Sequence, residues 1–132
     1  MSDPGTSVRV VAAVIERDGR YLVGRRPGHK RHGGLWEFPG GKLDEGEDVR
    51  DAAQRELREE LSLRVDAVGA CLVSFADGAS PFVIEFHAVD AVGEPVAHEH
   101  DALDWLTPAE LLEAPLAPAD RRFAEWLAGG GA

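Results

Sequence analysis

"GGKLDEGEDVRDAAQRELREELSL", residues 40–63, changes rhythm in its middle. Up to Asp48 it is glycine-containing and acidic; beyond Val49 the apolar residues fall at Ala52, Ala53, Leu57 and Leu61. That spacing is the stripe of an amphipathic helix over Val49–Leu61, and Asp48, with Asp51 three residues on, supplies its N-cap. The same helix puts Glu56, Glu59 and Glu60 on one face, because residues three and four apart are neighbours. Like charges so placed cost about 0.2–0.5 kcal/mol per pair, and Arg55 and Arg58 offset part of that. Either water solvates this face or it gathers a strongly positive ligand. The paired glycines allow a close backbone approach, and carboxylates clustered beside an exposed carbonyl suit a hard divalent cation such as Mg²⁺.

Outward from this helix, "VRVVAAVIERDGRYLVGRR" gives two β-branched runs around Asp18-Gly19, a hairpin signal. "RPGHKRHGG" is a basic loop, and "LWEFPGG" a short strand ending in proline and glycine. "RVDAVGACLVSFA" and "PFVIEFHAV" are two further strands joined through "DGAS", and "ALDWL" is a short one. Thr107, Pro108 and Glu110 in "TPAELLEA" form a capping box. "RRFAEWLA" is a final amphipathic helix before "GGGA". This order predicts one α/β (α+β) domain over residues 1–132, built on a mixed sheet, with 1–7 and 128–132 flexible.

The 132 residues suffice for one core without staples. A single cysteine, Cys71, excludes an internal disulfide, and its apolar surroundings predict buried filler. The N-terminus has no signal-peptide pattern, and no apolar run approaches the ~18 residues of a membrane span; the expected location is the cytoplasm, with no membrane partner. The formal net charge of −10 argues against nonspecific nucleic-acid binding. A phosphate ligand on such a chain requires a local reversal of sign.

Residues Gly41, Glu47, Arg55, Glu56, Leu57, Glu59, Glu60 and Leu63 resemble the Nudix box of the nucleoside diphosphate-linked hydrolases, one glycine of which is Ser62 here. That glycine ends the helix in the left-handed conformation, so serine is expected to cost about 1 kcal/mol there and to carry none of the chemistry. "RRPGHKRHGGLWEFPGGK" is similar to the segment preceding the box in MutT-type enzymes. "AHEHDALDWLTPAELLEAPLAPAD" is similar to bacterial CTP pyrophosphohydrolases. The resemblance runs from Val8 to Leu127 and implies a mixed sheet between helices.

The resemblance also implies roles. Glu56, Glu59, Glu60 and the Gly41 carbonyl would hold Mg²⁺, with Mn²⁺ able to substitute. Glu99 would be a metal ligand, general base or both, and Glu56 and Glu59 would share the catalytic work. Arg26 and Lys42 would contact the phosphates, while Arg25 points away and Lys30 and Arg31 remain solvated. Glu47 and Arg55 would form an internal ion pair. Asp120 is either an N-cap or a contact to the base, and Phe38 or Trp36 would stack on that base. His98 and His100 are expected as exposed loop histidines. The implied reaction is Mg²⁺-dependent cleavage of a nucleoside triphosphate to monophosphate and pyrophosphate, on a cytosine nucleotide or, alternatively, on 8-oxo-dGTP. A sugar-nucleotide or dinucleotide hydrolase is a more distant reading. A nucleotide-binding sensor without catalysis is a further alternative, against which the intact glutamates argue. Oligomeric state is not legible.

Overall fold

The computed structural model describes residues 7–78 and 80–131. The termini expected to be flexible fall partly outside that range, at residues 1–6 and 132. The first strand, β1 (Val8–Val14), runs through β2 (Glu16–Arg17) into a hairpin with β3 (Arg20–Arg25). Asp18 and Gly19 both take positive φ, 52° and 77°, the conformation a two-residue hairpin turn requires. The "LWEFPGG" stretch is two pieces, β4 (Trp36–Glu37) and β5 (Gly40–Lys42). β4 pairs with β3, β5 pairs with β1, and the buried Pro39 between them lets the chain cross from one sheet to the other.

Helix α1 (Val49–Leu61) starts where Asp48 accepts a hydrogen bond from the Asp51 amide. Two long strands follow, β6 (Arg64–Ala76) and β7 (Phe82–Val92), then β8 (Ala102–Leu106) and the helices α2 (Pro108–Glu113) and α3 (Pro118–Ala128). One sheet has the order β5-β1-β7-β6, with β1 parallel to β7 and the outer pairs antiparallel. In the other, β3 carries β2 and β4 along one edge and β8 along the other. The expected mixed-sheet architecture is therefore present.

Successive residues of β1 face opposite sides, as the pleat demands. Ala13 and the adjoining Ile15 pack with Leu57, Leu61 and Leu63 on the α1 side, where Val11 meets Ala52 and Ala53. Ala12 and Val14 face Phe38, Phe86, Leu111 and Phe123 on the α2–α3 side. Phe86 stacks on Phe123 at 4.4 Å, and Phe38 meets both edge-on. No helix is long and apolar enough to cross a membrane among the described residues.

Two expectations change. Cys71 is exposed rather than buried, because its apolar run lies in the edge strand β6, which is covered only in part. Helix α3 begins at Pro118, three residues before the predicted start; the prolines that suggested a loop include one at the first helical turn, where a missing N–H costs nothing. Its end at Ala128 is where the sequence reading put it.

The Thr107–Glu110 capping box is formed on both sides, side chain to backbone in each direction. Thr107→Ala is expected to lower stability by about 1 kcal/mol and leave turnover unchanged, as read from urea midpoints and an activity assay.

Candidate active site

The last turns of α1 face β5 across a narrow gap. A Cβ on Gly41 would fall on the carboxyl group of Glu56, so only glycine lets the strand backbone come this close. Behind them, Arg55 grips Glu47 through two hydrogen bonds of 2.8 and 2.9 Å, reaches the Lys42 carbonyl at 3.1 Å and holds Glu56 at 2.7 Å. The expected Glu47–Arg55 pair is thus one part of a clasp tying the 42–47 loop to the helix. Arg55 draws the Glu47 carboxyl down to about 2, with help from the Asp44 amide. In turn Glu47, then Glu56, raises the Arg55 guanidinium further.

Glu60 is 4% exposed, and its Oε2 has no hydrogen-bond partner. Burial pushes its carboxyl up to about 10, aided by hydrogen bonding with Glu56 and by the charges of Glu56, Glu99 and Glu37. A cleft of about 120 Å³ is walled by Arg26, Glu37, Gly40, Glu56, Glu60 and Glu99. Glu59, placed with the other two by helical spacing, does not line this cleft; its side chain is 51% exposed and lies 3.8 Å from Arg55. A divalent cation fits this donor set. Converging carboxylates and an unpartnered buried oxygen are what hard cations take as ligands, and Glu60 Oε2 has no hydrogen-bond partner although Arg26 and Lys30 line the same cleft.

Glu99 reaches the cleft on a loop laid against the end of α1. The His98 amide donates to the Glu60 carbonyl at 3.0 Å and the Val96 amide to the Leu61 carbonyl at 2.9 Å. Of the two flanking histidines, both expected to be exposed, His98 is exposed and His100 is not. His100 is buried, its Nε2 3.0 Å from Glu37 Oε2, in space that exists because residue 24 lacks a Cβ. His98 Nε2 lies 2.6 Å from the Ser62 hydroxyl. Ser62 itself has φ 58° and ψ 30°, the left-handed C-cap expected.

A second cleft of about 250 Å³ adjoins the first and shares Arg26, Glu37 and Gly40 with it; Lys42, Phe38 and Asp120 are also on its wall. Arg26 donates to Glu37 at 2.9 Å and to the Arg31 carbonyl at 2.6 Å. Lys42 Nζ lies 4.8 Å over the Phe82 ring. Asp120 is not an N-cap: that position is Ala117, and Asp120 sits inside the first turn of α3. It accepts a hydrogen bond of 2.8 Å from the Phe38 amide, and burial pushes its carboxyl up to about 8. Phe38 is 4% exposed, its ring committed to Phe86 and Phe123, so it offers no free stacking face. Trp36 lies outside this cleft, with Arg25 over its ring at 5.9 Å.

The structure therefore brings together Gly41, Glu56, Glu60 and Glu99, and Arg26, Lys42 and Asp120 beside them. Glu37 was missed, and His100 was read as exposed. The period-two alternation of "LWEF" sets Glu37 opposite Trp36 and Phe38, which is the signal that marks it.

A NUDIX domain matches residues 5–127. The chain is 47% identical over 116 residues to the CTP pyrophosphohydrolase of Escherichia coli (strain K12), covering 86% of this chain and 85% of that one. It is 40% identical over 122 residues to the putative 8-oxo-dGTP diphosphatase 2 of Mycobacterium tuberculosis (strain ATCC 25618 / H37Rv), with 90% and 86% covered. Among solved structures, the solution structure of the E. coli ORF135 protein matches with a TM-score of 0.80 at 43% identity, over 97% of this chain and 94% of that one. The MutT NUDIX hydrolase from Burkholderia pseudomallei matches with a TM-score of 0.78 at 32% identity, over 90% and 96%. The chain belongs to the Nudix family. Nudix hydrolases act on nucleotide substrates and generally need a divalent metal ion.

Without metal, Glu60 and Asp120 hold protons more tightly folded than unfolded. Their contribution to stability is therefore lost as pH rises, from 4.5 to about 10 for Glu60 and from 3.8 to about 8 for Asp120. In chelator, the urea midpoint of the native chain is expected to fall between about pH 5 and about pH 8. Glu60→Gln should fall less over the same range and be the more stable protein at the upper end.

Proposed function

We propose that the chain is a Mg²⁺-dependent nucleoside triphosphate pyrophosphohydrolase that favours cytosine nucleotides, converting (d)NTP and water to (d)NMP and pyrophosphate. The observation that carries this reading is the unpartnered, buried Glu60 oxygen beside Glu56 and Glu99, in a cleft that Arg26 and Lys30 also line and that adjoins one lined by Arg26, Arg31 and Lys42. The similarity to a CTP pyrophosphohydrolase supports the cytosine assignment.

Glu56, Glu60, Glu99 and the Gly41 carbonyl would hold the ion, with Glu59 joining from the helix surface. Mg²⁺, or Mn²⁺ in its place, supplies Lewis-acid polarisation of the phosphoryl group and a more acidic bound water. The side chains do the rest. Arg26 and Lys42 neutralise the triphosphate, which the bare carboxylates would repel. Glu99, on a loop pinned to α1, takes the proton of the attacking water as the phosphoanhydride breaks and pyrophosphate leaves. Arg55 keeps Glu56 against Gly41 and Glu47 against the loop. Chelator is expected to abolish turnover and Mg²⁺ or Mn²⁺ to restore it. Glu56→Gln should lose about 10²–10³-fold in kcat, the scale of one electrostatic group removed from a transfer site, while its circular dichroism remains native.

The base lies toward Asp120. Its Oδ1 is taken by the Phe38 amide, and the second oxygen, once its proton is lost on binding, accepts from the exocyclic amine of cytosine. A second reading, 8-oxo-dGTP hydrolysis, is favoured by the 40% identical mycobacterial relative, because the same carboxyl can serve a guanine edge. A panel of CTP, dCTP, 5-modified dCTP, UTP and 8-oxo-dGTP, with pyrophosphate distinguished from phosphate, separates the two readings. Asp120→Asn is the sharper test. The Phe38 amide demands an acceptor, so the variant must turn its carbonyl inward and its NH₂ toward the base. That group clashes with the cytosine amine and suits the uracil carbonyl. The CTP/UTP ratio of kcat/KM should fall by the equivalent of about 1–3 kcal/mol. An unchanged ratio removes Asp120 from base recognition.

A further inference from the structure

Three contacts hold the Glu99 loop to the end of α1. Two are backbone bonds, from Val96 to Leu61 and from His98 to Glu60. The third joins side chains, the Ser62 hydroxyl and His98 Nε2 at 2.6 Å. Ser62 occupies the left-handed position that closes the helix, φ 58°, where a residue with a Cβ is strained. Glycine there would relieve the strain, yet it would leave His98 without this partner. His98 immediately precedes Glu99, and its own amide is bonded to the residue that supplies the buried carboxyl of the acidic cleft. A hydroxyl at position 62 therefore acts on a backbone one residue from Glu99 and at once on the helix that carries Glu56 and Glu60.

We propose that Ser62 and His98 form a positioning pair that fixes the Glu99 loop to the metal-binding helix, so that Glu99 is ordered toward the cleft before any ion binds. The strained serine is tolerated because its hydroxyl restrains this loop. This revises the expectation that Ser62 carries no functional weight. It rests on the reading of Glu99 as a ligand or base.

The test uses the full chain with Ser62→Gly, Ser62→Ala, His98→Ala, His98→Gln, the double variant Ser62→Ala/His98→Ala, and Glu99→Gln. One readout is amide hydrogen exchange of residues 94–101 in chelator, which needs neither metal nor substrate. The other is Mn²⁺ affinity by water-proton relaxation, with kcat and KM for CTP alongside. Ser62→Ala, Ser62→Gly and His98→Ala are expected to speed exchange in this segment about three-fold or more and to weaken Mn²⁺ binding by a similar factor, the scale of one hydrogen bond. The double variant should do no worse than either alanine variant alone. His98→Gln, whose amide reaches as far as Nε2, should recover most of the loss. Ser62→Gly should keep or raise the melting temperature while binding Mn²⁺ less well, a split that a purely structural serine would not produce. Loss is expected in kcat, with KM for CTP nearly unchanged.

Unchanged exchange in the alanine variants overturns the pair. Faster exchange with native Mn²⁺ affinity, when Glu99→Gln does weaken Mn²⁺, overturns its positioning role. If Glu99→Gln leaves both Mn²⁺ binding and turnover native, the role given to Glu99 falls, and with it the positioning of a ligand; the exchange data then still decide whether the Ser62–His98 contact orders the loop.

Discussion

Glu60 is a carboxyl group removed from water, its Oε2 without a hydrogen-bond partner, and it feels the charges of three other carboxylates. Its place in α1 compounds the difficulty. Glu56, Glu59 and Glu60 lie in the last turns of the helix, where the exposed carbonyls make the macrodipole negative and disfavour anions. Burial, mutual repulsion and the dipole all push the same way, and in the metal-free chain the proton on Glu60 is the response. The surrounding parts are arranged around this cost. Ala52, Ala53, Leu57 and Leu61 are at most 1% exposed and anchor the helix to β1 and the end of β3. Arg55 stands beside the glutamates and satisfies Glu56 and Glu47 together. The apolar face of α1 keeps its polar face where water would not place it.

Close approach is the second constraint. Gly41 leaves room for the Glu56 carboxyl, and Gly24 leaves room for the His100 ring. A side chain at either position would enter the volume of a group in the site, so these two strands are shaped by their contents as much as by their pairing. Small residues at the strand positions and large acids on the helix are complementary parts of one cleft.

What was legible in the residues was what a short window encodes. The Asp48 cap, the α1 stripe, the Asp18-Gly19 turn and the Thr107 box each depend on neighbours a few residues apart, and each is present as read. Glu56 and Glu60, which line the acidic cleft, were legible because one helix carries them. The contacts that were missed span long stretches of chain: Ser62 to His98 across 36 residues, Glu37 to His100 across 63, Phe38 to Asp120 across 82. No local pattern specifies which loop meets which helix end. Asp120 is the instructive case. Its type and its nearness to a helix start suggested capping, but Pro118 began the helix earlier and the carboxyl was turned to a backbone amide from β4's trailing residue. Cys71 failed for a related reason, since an apolar run says nothing of whether its strand lies at a sheet's centre or edge.

The two clefts share Arg26, and its bonding shows what an acidic chain could offer a polyphosphate on the proposed reading. Arg26 gives one donor to Glu37 and one to the Arg31 carbonyl, while a guanidinium has five N–H groups in a rigid plane. The two committed bonds orient that plane and leave donors over for a ligand. Glu37 is itself held on its other oxygen by His100, so the chain His100–Glu37–Arg26 runs from the buried side of the Glu99 loop to the second cleft. Lys42, by contrast, is exposed and rests on the Phe82 ring as a point charge on a flexible stem. One cation is fixed by its own bonds, and the other is held only by an aromatic face.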